Sequence, residues 1–338
     1  MGFYPIRWGF ESLRPRHFVN EYVGGYVSHF TTLVIGDNPD EQLEPFDEGL
    51  RVVFTDETAD VLAEYNTKTI LAIKTAYGEY LHLERGEDEN TPGVQAYPAN
   101  EVYKTLEEYA VDYYGYKKHD GMFGYWGNPN AKWDSYQLGG RWNGYFKAKE
   151  GVDTSKFKQF VPHAYVGAKW MEDYSRIKTG WYDSIRKGDV DIQGMIDIAV
   201  LEAATEYDKF QAVTRSYEPP IFTWKELVEE HGGERAREIW NDNQWIKRVA
   251  RELNIARDPI DYFKIKTGGR GAFLQEAAAR AVPTFSVIYD GKWYERGGMG
   301  WFGIVTDERE SVEWVTEWND IWNSIPDDTM VSVYDLHI

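Results

Sequence analysis

His29-Phe30-Thr31-Thr32-Leu33-Val34-Ile35-Gly36 is the stretch whose reading decides the fold. A compact β-branched run ended by Gly36-Asp37-Asn38-Pro39 predicts a buried first strand that leaves into a turn. At the far end of the chain Met330 to Leu336 reads as a short strand. A terminal strand needs a sheet to join, and its natural neighbours are the first strand or a hairpin at 284–295. That hairpin is marked by the strand Thr284 to Tyr289, the two-residue turn signal Asp290-Gly291 and a return over Lys292 to Glu295.

Between these ends the periodicity alternates. Thr69 to Thr75 and Glu79 to Glu84 flank Tyr77-Gly78 as a further hairpin, and the acidic stretch Glu87 to Pro98 reads as a loop. Val102, Leu106, Tyr109, Ala110 and Tyr113 fall at helical spacing and predict a helix over 101–114 stopped by Gly115. Residues 121–146 lose any clean period and read as a structured loop, with a strand from Arg141 to Lys149. Beyond Asp191 the pattern predicts helices over 192–212, 224–231, 234–253 and 271–281. Thr223 with Glu226 forms a capping-box pattern, and Gly232 suits the left-handed closing position. Asp307 with Glu310 repeats that pattern for a helix over 308–323, with Val312, Val315, Ile321 and Trp322 as its apolar stripe. The fold class expected is α+β, an antiparallel or mixed sheet built from hairpins with a helical block packed on one side. Residues 28–338 are expected to form a single domain with a mainly helical insertion over about 191–282.

Residues 1–27 read as a non-core extension. Pro5, Pro15 and scattered aromatics show neither helical nor strand period. Val23-Gly24-Gly25-Tyr26-Val27 is compatible with a purine-rich ribosome-binding sequence ahead of a GTG codon, which would start translation at Val27. A genuine flexible arm is the alternative.

Composition narrows the function classes. With 37 Lys plus Arg against 56 Asp plus Glu, the formal net charge of -19 repels phosphodiester backbones and anionic lipid. Generic nucleic-acid binding and membrane-surface binding are therefore not expected. The absence of cysteine excludes disulfides, thiolate metal sites and cysteine nucleophiles, and fits a cytoplasmic setting. No apolar run approaches the roughly 20 residues of a membrane span.

Three constellations carry chemistry. Tyr125-Trp126-Gly127-Asn128-Pro129-Asn130-Ala131-Lys132-Trp133-Asp134 continues through Tyr136 to Gly139-Gly140-Arg141-Trp142. Asn128 and Asn130 suit a turn, the glycines permit close approach, Lys132 and Arg141 offer cations, and Trp133 and Trp142 offer stacking surfaces. The competing reading is a loop that braces the sheet, its cations capped by Trp faces or paired to Asp134. Trp293, Glu295, Arg296 and Gly297-Gly298-Met299-Gly300-Trp301-Phe302-Gly303 form the second, without the spacing of a dinucleotide fingerprint or a P-loop. Here the competing reading makes Trp301 a core plug. Were both loops to meet at one sheet edge, Arg141 and Glu295 would be the best polar pair. The third set is His29 on the first strand with Asp335 and His337 on the last, a metal or acid/base candidate if those strands adjoin.

From about His29 to Ile338 the chain resembles a family of uncharacterised proteins found mainly in bacteriophage genomes and prophages. The words that carry the resemblance are HFTTLVIG with Glu41-Gln42-Leu43 and Pro45, then NPNAKWDSYQLGGRW, the Asp189 to Asp191 turn, DGKWYERGGMGWFG and PDDTMVSVYDLHI. The chain departs from that pattern at Ser135, where an aromatic residue is expected, and at Leu336, where a small one is. Position 135 is thus a poor candidate for an essential side chain. The resemblance implies a protein made in the host cytoplasm during infection or from a prophage, outside the virion, serving host takeover, counter-defence or nucleotide metabolism. It leaves the reaction and any cofactor unknown.

The leading expectation is a ligand-binding or host-interaction protein. Asn128, Asn130, Lys132, Trp133, Arg141, Trp142, Trp293 and Trp301 would receive a small anionic or nucleotide-like ligand, and Glu295 would accept from its donor edge. A nucleotide-processing enzyme on the same site is the alternative, with Glu295 or Asp134 as catalytic acid/base. A third reading makes the acidic surface bind a basic host protein.

Overall fold

The computed structural model describes residues 29–338 except 84–87, 89, 161–177, 216–217, 221, 256–257 and 300–304. The expected extension over 1–27 and the candidate Trp301 lie outside the described residues.

The first and last strands do adjoin. His29–Ile35 pairs antiparallel with Met330–His337 over seven residues, from His29 opposite His337 to Ile35 opposite Val331. On its other side the first strand runs parallel to Ser286–Tyr289, which turns through Asp290 and Gly291 into Lys292–Glu295. Both turn residues have positive φ, 51° and 70°, the geometry that matches the twist of a two-residue hairpin. The sheet order is Ser184–Arg186, Met330–His337, His29–Ile35, Ser286–Tyr289, Lys292–Glu295, with Ser135–Leu138 also paired to the terminal strand. This is a mixed sheet in an α+β fold, as the sequence predicts.

Strand alternation sorts the side chains. Leu33, Ile35, Val287, Val331 and Val333 share one face and pack with Met195, Ala199, Trp314, Trp318 and Trp322 from two helices. On the opposite face the buried hydroxyls of Thr32 and Ser286 bond each other at 2.7 Å, because neither could be buried without a partner.

One helix joins the sheet to the helical block. Ile192–Thr214 buries Met195, Ala199, Ala203, Tyr207 and Phe210 at spacings of three and four residues. Its first half serves the sheet core, and its second half joins Trp245, Ile246, Val249, Ile260, Phe263 and Phe273 in a separate cluster. Asp191 caps it by accepting from Gly194 N at 3.0 Å. The predicted capping box on Trp224–His231 is present in full.

Several expected elements differ. The helix predicted over 234–253 is two helices, Gly233–Asp242 and Gln244–Leu253, because Asn243 leaves the helix to cap the second by accepting from Ile246 N. The helix predicted over 101–114 is interrupted at Tyr103, which is extended, and restarts where Thr105 caps Glu108. Val94–Pro98, within the expected loop, is a strand paired with Thr69–Ile73. The structured loop over 121–146 contains the strands Met122–Gly127 and Ser135–Leu138. The last helix is Ser311–Ser324, and Asp307 does not cap it. Its buried stripe is Trp314, Trp318 and Trp322, while Val312 is 76% exposed. Three indoles on one face outweigh the valines in apolar area, so they set the rotation of the helix.

Among the described residues the chain divides into two compact units, 45–132 and 29–44 with 133–338, a boundary that the sequence pattern does not mark. The smaller unit has its own core of Val61, Ile70, Ala99, Tyr103, Tyr109, Ala110 and Phe123. Among the described residues no helix is long and apolar enough to cross a membrane.

Candidate functional site

The Gly139-Gly140 pair sits on two buried carboxylates. Both glycines have positive φ, 66° and 48°, and a Cβ at Gly139 would overlap the carboxyl of Asp183, one at Gly140 that of Asp335. The loop therefore needs glycine twice, for conformation and for close approach. Asp183 accepts from Tyr145 N at 3.1 Å and from Phe160 N at 2.7 Å. Burial pushes the Asp183 carboxyl above its ordinary value against the backbone N–H groups that hold it down. Tyr145, whose hydroxyl burial pushes up, donates to the carbonyl of Val282 at 2.9 Å and ties this loop to the approach of Ser286–Tyr289.

Asp335 keeps different company. Its Oδ2 accepts from Arg141 N at 2.9 Å, and its Oδ1 lies 2.7 Å from His29 Nδ1. His29 and His337 face each other across the first and last strands with ring centroids 4.9 Å apart. His337 Nδ1 in turn bonds Asp134 Oδ1. Burial works to raise the Asp134 carboxyl, but the hydrogen bond and charge of His337 outweigh it and hold the group below its ordinary value. The His29, Asp335 and His337 set is thus brought together as the adjoining strands require. It is two imidazole–carboxylate pairs, with each Nδ1 turned to its own carboxylate, so the nitrogens do not converge as ligands. Among the described residues no group of three or more His, Asp or Glu is arranged to hold a metal.

His29 also lines a cleft of about 50 Å³. Its other walls include Trp142, Arg280, Arg296, Ser311 and Trp314. Arg280 donates to Ser311 Oγ at 2.8 Å and pairs with Glu276 at 2.8 Å, while Arg296 pairs with Glu308. Arg296 Nε is buried and makes no hydrogen bond among the described residues. Two arginines thus line one cleft beside an imidazole backed by a carboxylate. At roughly 10–15 Å³ per water-sized occupant, the cleft seats a group of a few heavy atoms.

The sequence-predicted residues distribute as follows. Asn128, Asn130 and Lys132 belong to the 45–132 unit. There Asn128 Nδ2 donates to the carbonyls of Pro45 and Asp47, Asn130 N donates to Asn128 Oδ1, and Lys132 N donates to Phe46 O. The first two shape the turn. In the larger unit Trp133 is buried and donates through Nε1 to Leu43 O. Trp293 Nε1 donates to Glu295 Oε2 at 2.7 Å, and its ring meets Phe30 edge-on. Arg141 is exposed, and its guanidinium has no partner among the described residues.

The expected meeting of Arg141 with Glu295 at one sheet edge is corrected. The strand that precedes Arg141, Ser135–Leu138, and the strand that ends in Glu295, Lys292–Glu295, stand at opposite edges of the sheet, and the Arg141 guanidinium makes no pair with Glu295. The two loops meet instead at the cleft, through Trp142 from one and Arg296 from the other. Sequence reasoning named Arg296 within the second constellation without a ligand role, and it did not single out Arg280, Ser311 or Trp314. Arg296 stood inside a quoted motif, but Arg280 looks in sequence like any helix-end cation.

No protein-family model, no curated protein and no solved structure matches this chain.

Proposed function

We propose that the cleft binds the phosphoryl or similar oxyanion head of a small nucleotide-like ligand, and that the protein works by holding that ligand. The observation that supports this reading is the pair Arg280 and Arg296 lining one cleft with Trp142 and Trp314. A guanidinium presents five donors in a planar fork, so each can keep its carboxylate and still receive an oxyanion. Indoles in the walls suit a flat ring adjoining the anionic head. Against a chain of net charge -19, paired cations in a cleft are a selective place for an anion. Sequestering such a ligand in the host cytoplasm would serve a phage in takeover or counter-defence.

Isothermal titration with AMP and with orthophosphate tests the reading. Wild type is expected to bind both, Arg296→Gln to lose about tenfold or more in affinity with its melting temperature kept, and Arg141→Ala to bind as wild type. No binding to wild type, or undiminished binding to Arg296→Gln, contradicts it.

A further inference from the structure

The position of His29 carries the cleft beyond binding. A histidine that only braces two strands needs no ligand space beside it. His29 is joined to Asp335 through Nδ1 and lines the same cleft as Arg280 and Arg296, and no described residue hydrogen-bonds its Nε2. The Asp335 carboxylate is fixed in turn by Arg141 N and is 6% exposed beneath Gly140. A carboxylate accepting from Nδ1–H leaves Nε2 with the lone pair, the arrangement a general base requires. His337, the other imidazole, does not line the cleft.

We infer that the cleft hydrolyses a phosphomonoester, with His29 Nε2 as the general base; this rests on the anion-binding reading above. Arg280 and Arg296 hold the non-bridging phosphoryl oxygens and offset the charge that accumulates on them, which is most of what phosphoryl transfer asks of a protein. A water beside His29 attacks phosphorus. The new bond from water oxygen to phosphorus forms as the bond from phosphorus to the ester oxygen breaks. The water's proton passes to His29 Nε2, and the departing ester oxygen, at the mouth of the cleft, takes a proton from solvent; His29 returns its proton to solvent, so an alcohol and orthophosphate leave and the imidazole is restored. Asp335 is a positioning residue: it holds the imidazole tautomer and does not touch the ester. The small cleft admits the phosphoryl head and leaves the alcohol portion toward its mouth, so recognition rests on the terminal phosphate.

The test measures orthophosphate release from p-nitrophenyl phosphate and AMP, together with orthophosphate binding by calorimetry, on the full chain. Wild type is expected to release phosphate. His29→Asn should lower that rate about 100-fold or more while orthophosphate still binds. Asp335→Asn should lower the rate and change the shape of its pH profile, which a merely structural loss would not do. His337→Asn should leave the rate in place, a control against simple loss of the strand ends. Thermal melts of each variant identify any that fail to fold, and the histidine pair keeps the inference falsifiable if Asp335→Asn is one of them. Orthophosphate binding without release from either ester overturns the hydrolysis and leaves the binding reading standing. Release undiminished in His29→Asn overturns the role of His29. No orthophosphate binding by wild type removes the site itself, and the inference with it.

Discussion

Asp183 and Asp335 are both buried, at 0% and 6% exposure, and both lie under one glycine of the same pair. Asp183 is satisfied by backbone N–H groups alone, so it locks the path of the loop and has nothing left to offer a ligand. Asp335 spends one oxygen on the backbone and the other on an imidazole that lines a cleft. Burial alone therefore does not mark function. What separates the two carboxylates is the partner, and whether that partner touches open space.

The largest effect should strike both halves of the comparison alike. Gly139→Ala and Gly140→Ala each combine a left-handed φ with a clash against a carboxyl, which should cost about 4 kcal/mol in urea unfolding. A small loss in either would show that the loop is not seated as described. Next comes the carboxylate that only braces. Asp183→Ala strands buried backbone donors and should lose about 3 kcal/mol, more than Asp335→Asn, which keeps an oxygen for Arg141 N. The reverse order would break the comparison.

A smaller difference separates them with pH. Burial raises the folded-state value for Asp183 above the ordinary carboxylate value of 3.8. Its contribution is therefore fully present below pH 3.8, and is lost as pH rises through the raised value. Wild type should decline relative to Asp183→Asn over that window in denaturant titrations, and a rise would reverse the sign. The smallest effect belongs to Arg141→Ala. An exposed guanidinium without a described partner should change stability by about 0.5 kcal/mol or less, leaving Arg141 N on Asp335 intact. A stability loss as large as that of Asp183→Ala would show that the side chain, and not its backbone, carries the residue's role.

How much was legible in the sequence follows from how local each signal is. The first strand, the Asp290-Gly291 hairpin and the Thr223 capping box rest on neighbouring residues, and all are present. The closeness of His29, Asp335 and His337 could be read one step further, because a terminal strand had few places to pair. The phase of the last helix was legible only in part: of the expected stripe Trp322 is buried and Ile321 packs against the core, but Val312 is exposed, and packing against the sheet adds Trp314 and Trp318. The cleft was least legible. Arg280 ends one helix and Arg296 follows a hairpin, and they share a space because the hairpin returns Arg296 N onto Phe285 O, five residues after Arg280. The density of glycine around Arg141 signalled close approach correctly, but the groups approached are the protein's own carboxylates.

The most direct measurement of the central claim is the anomalous diffraction of crystals soaked in tungstate, an oxyanion of phosphate shape. A peak within hydrogen-bond reach of Arg280 and Arg296, beside His29, is the result expected. Anomalous density confined to exposed lysines, or to Arg141, with the Arg280–Arg296 cleft bare, would contradict it.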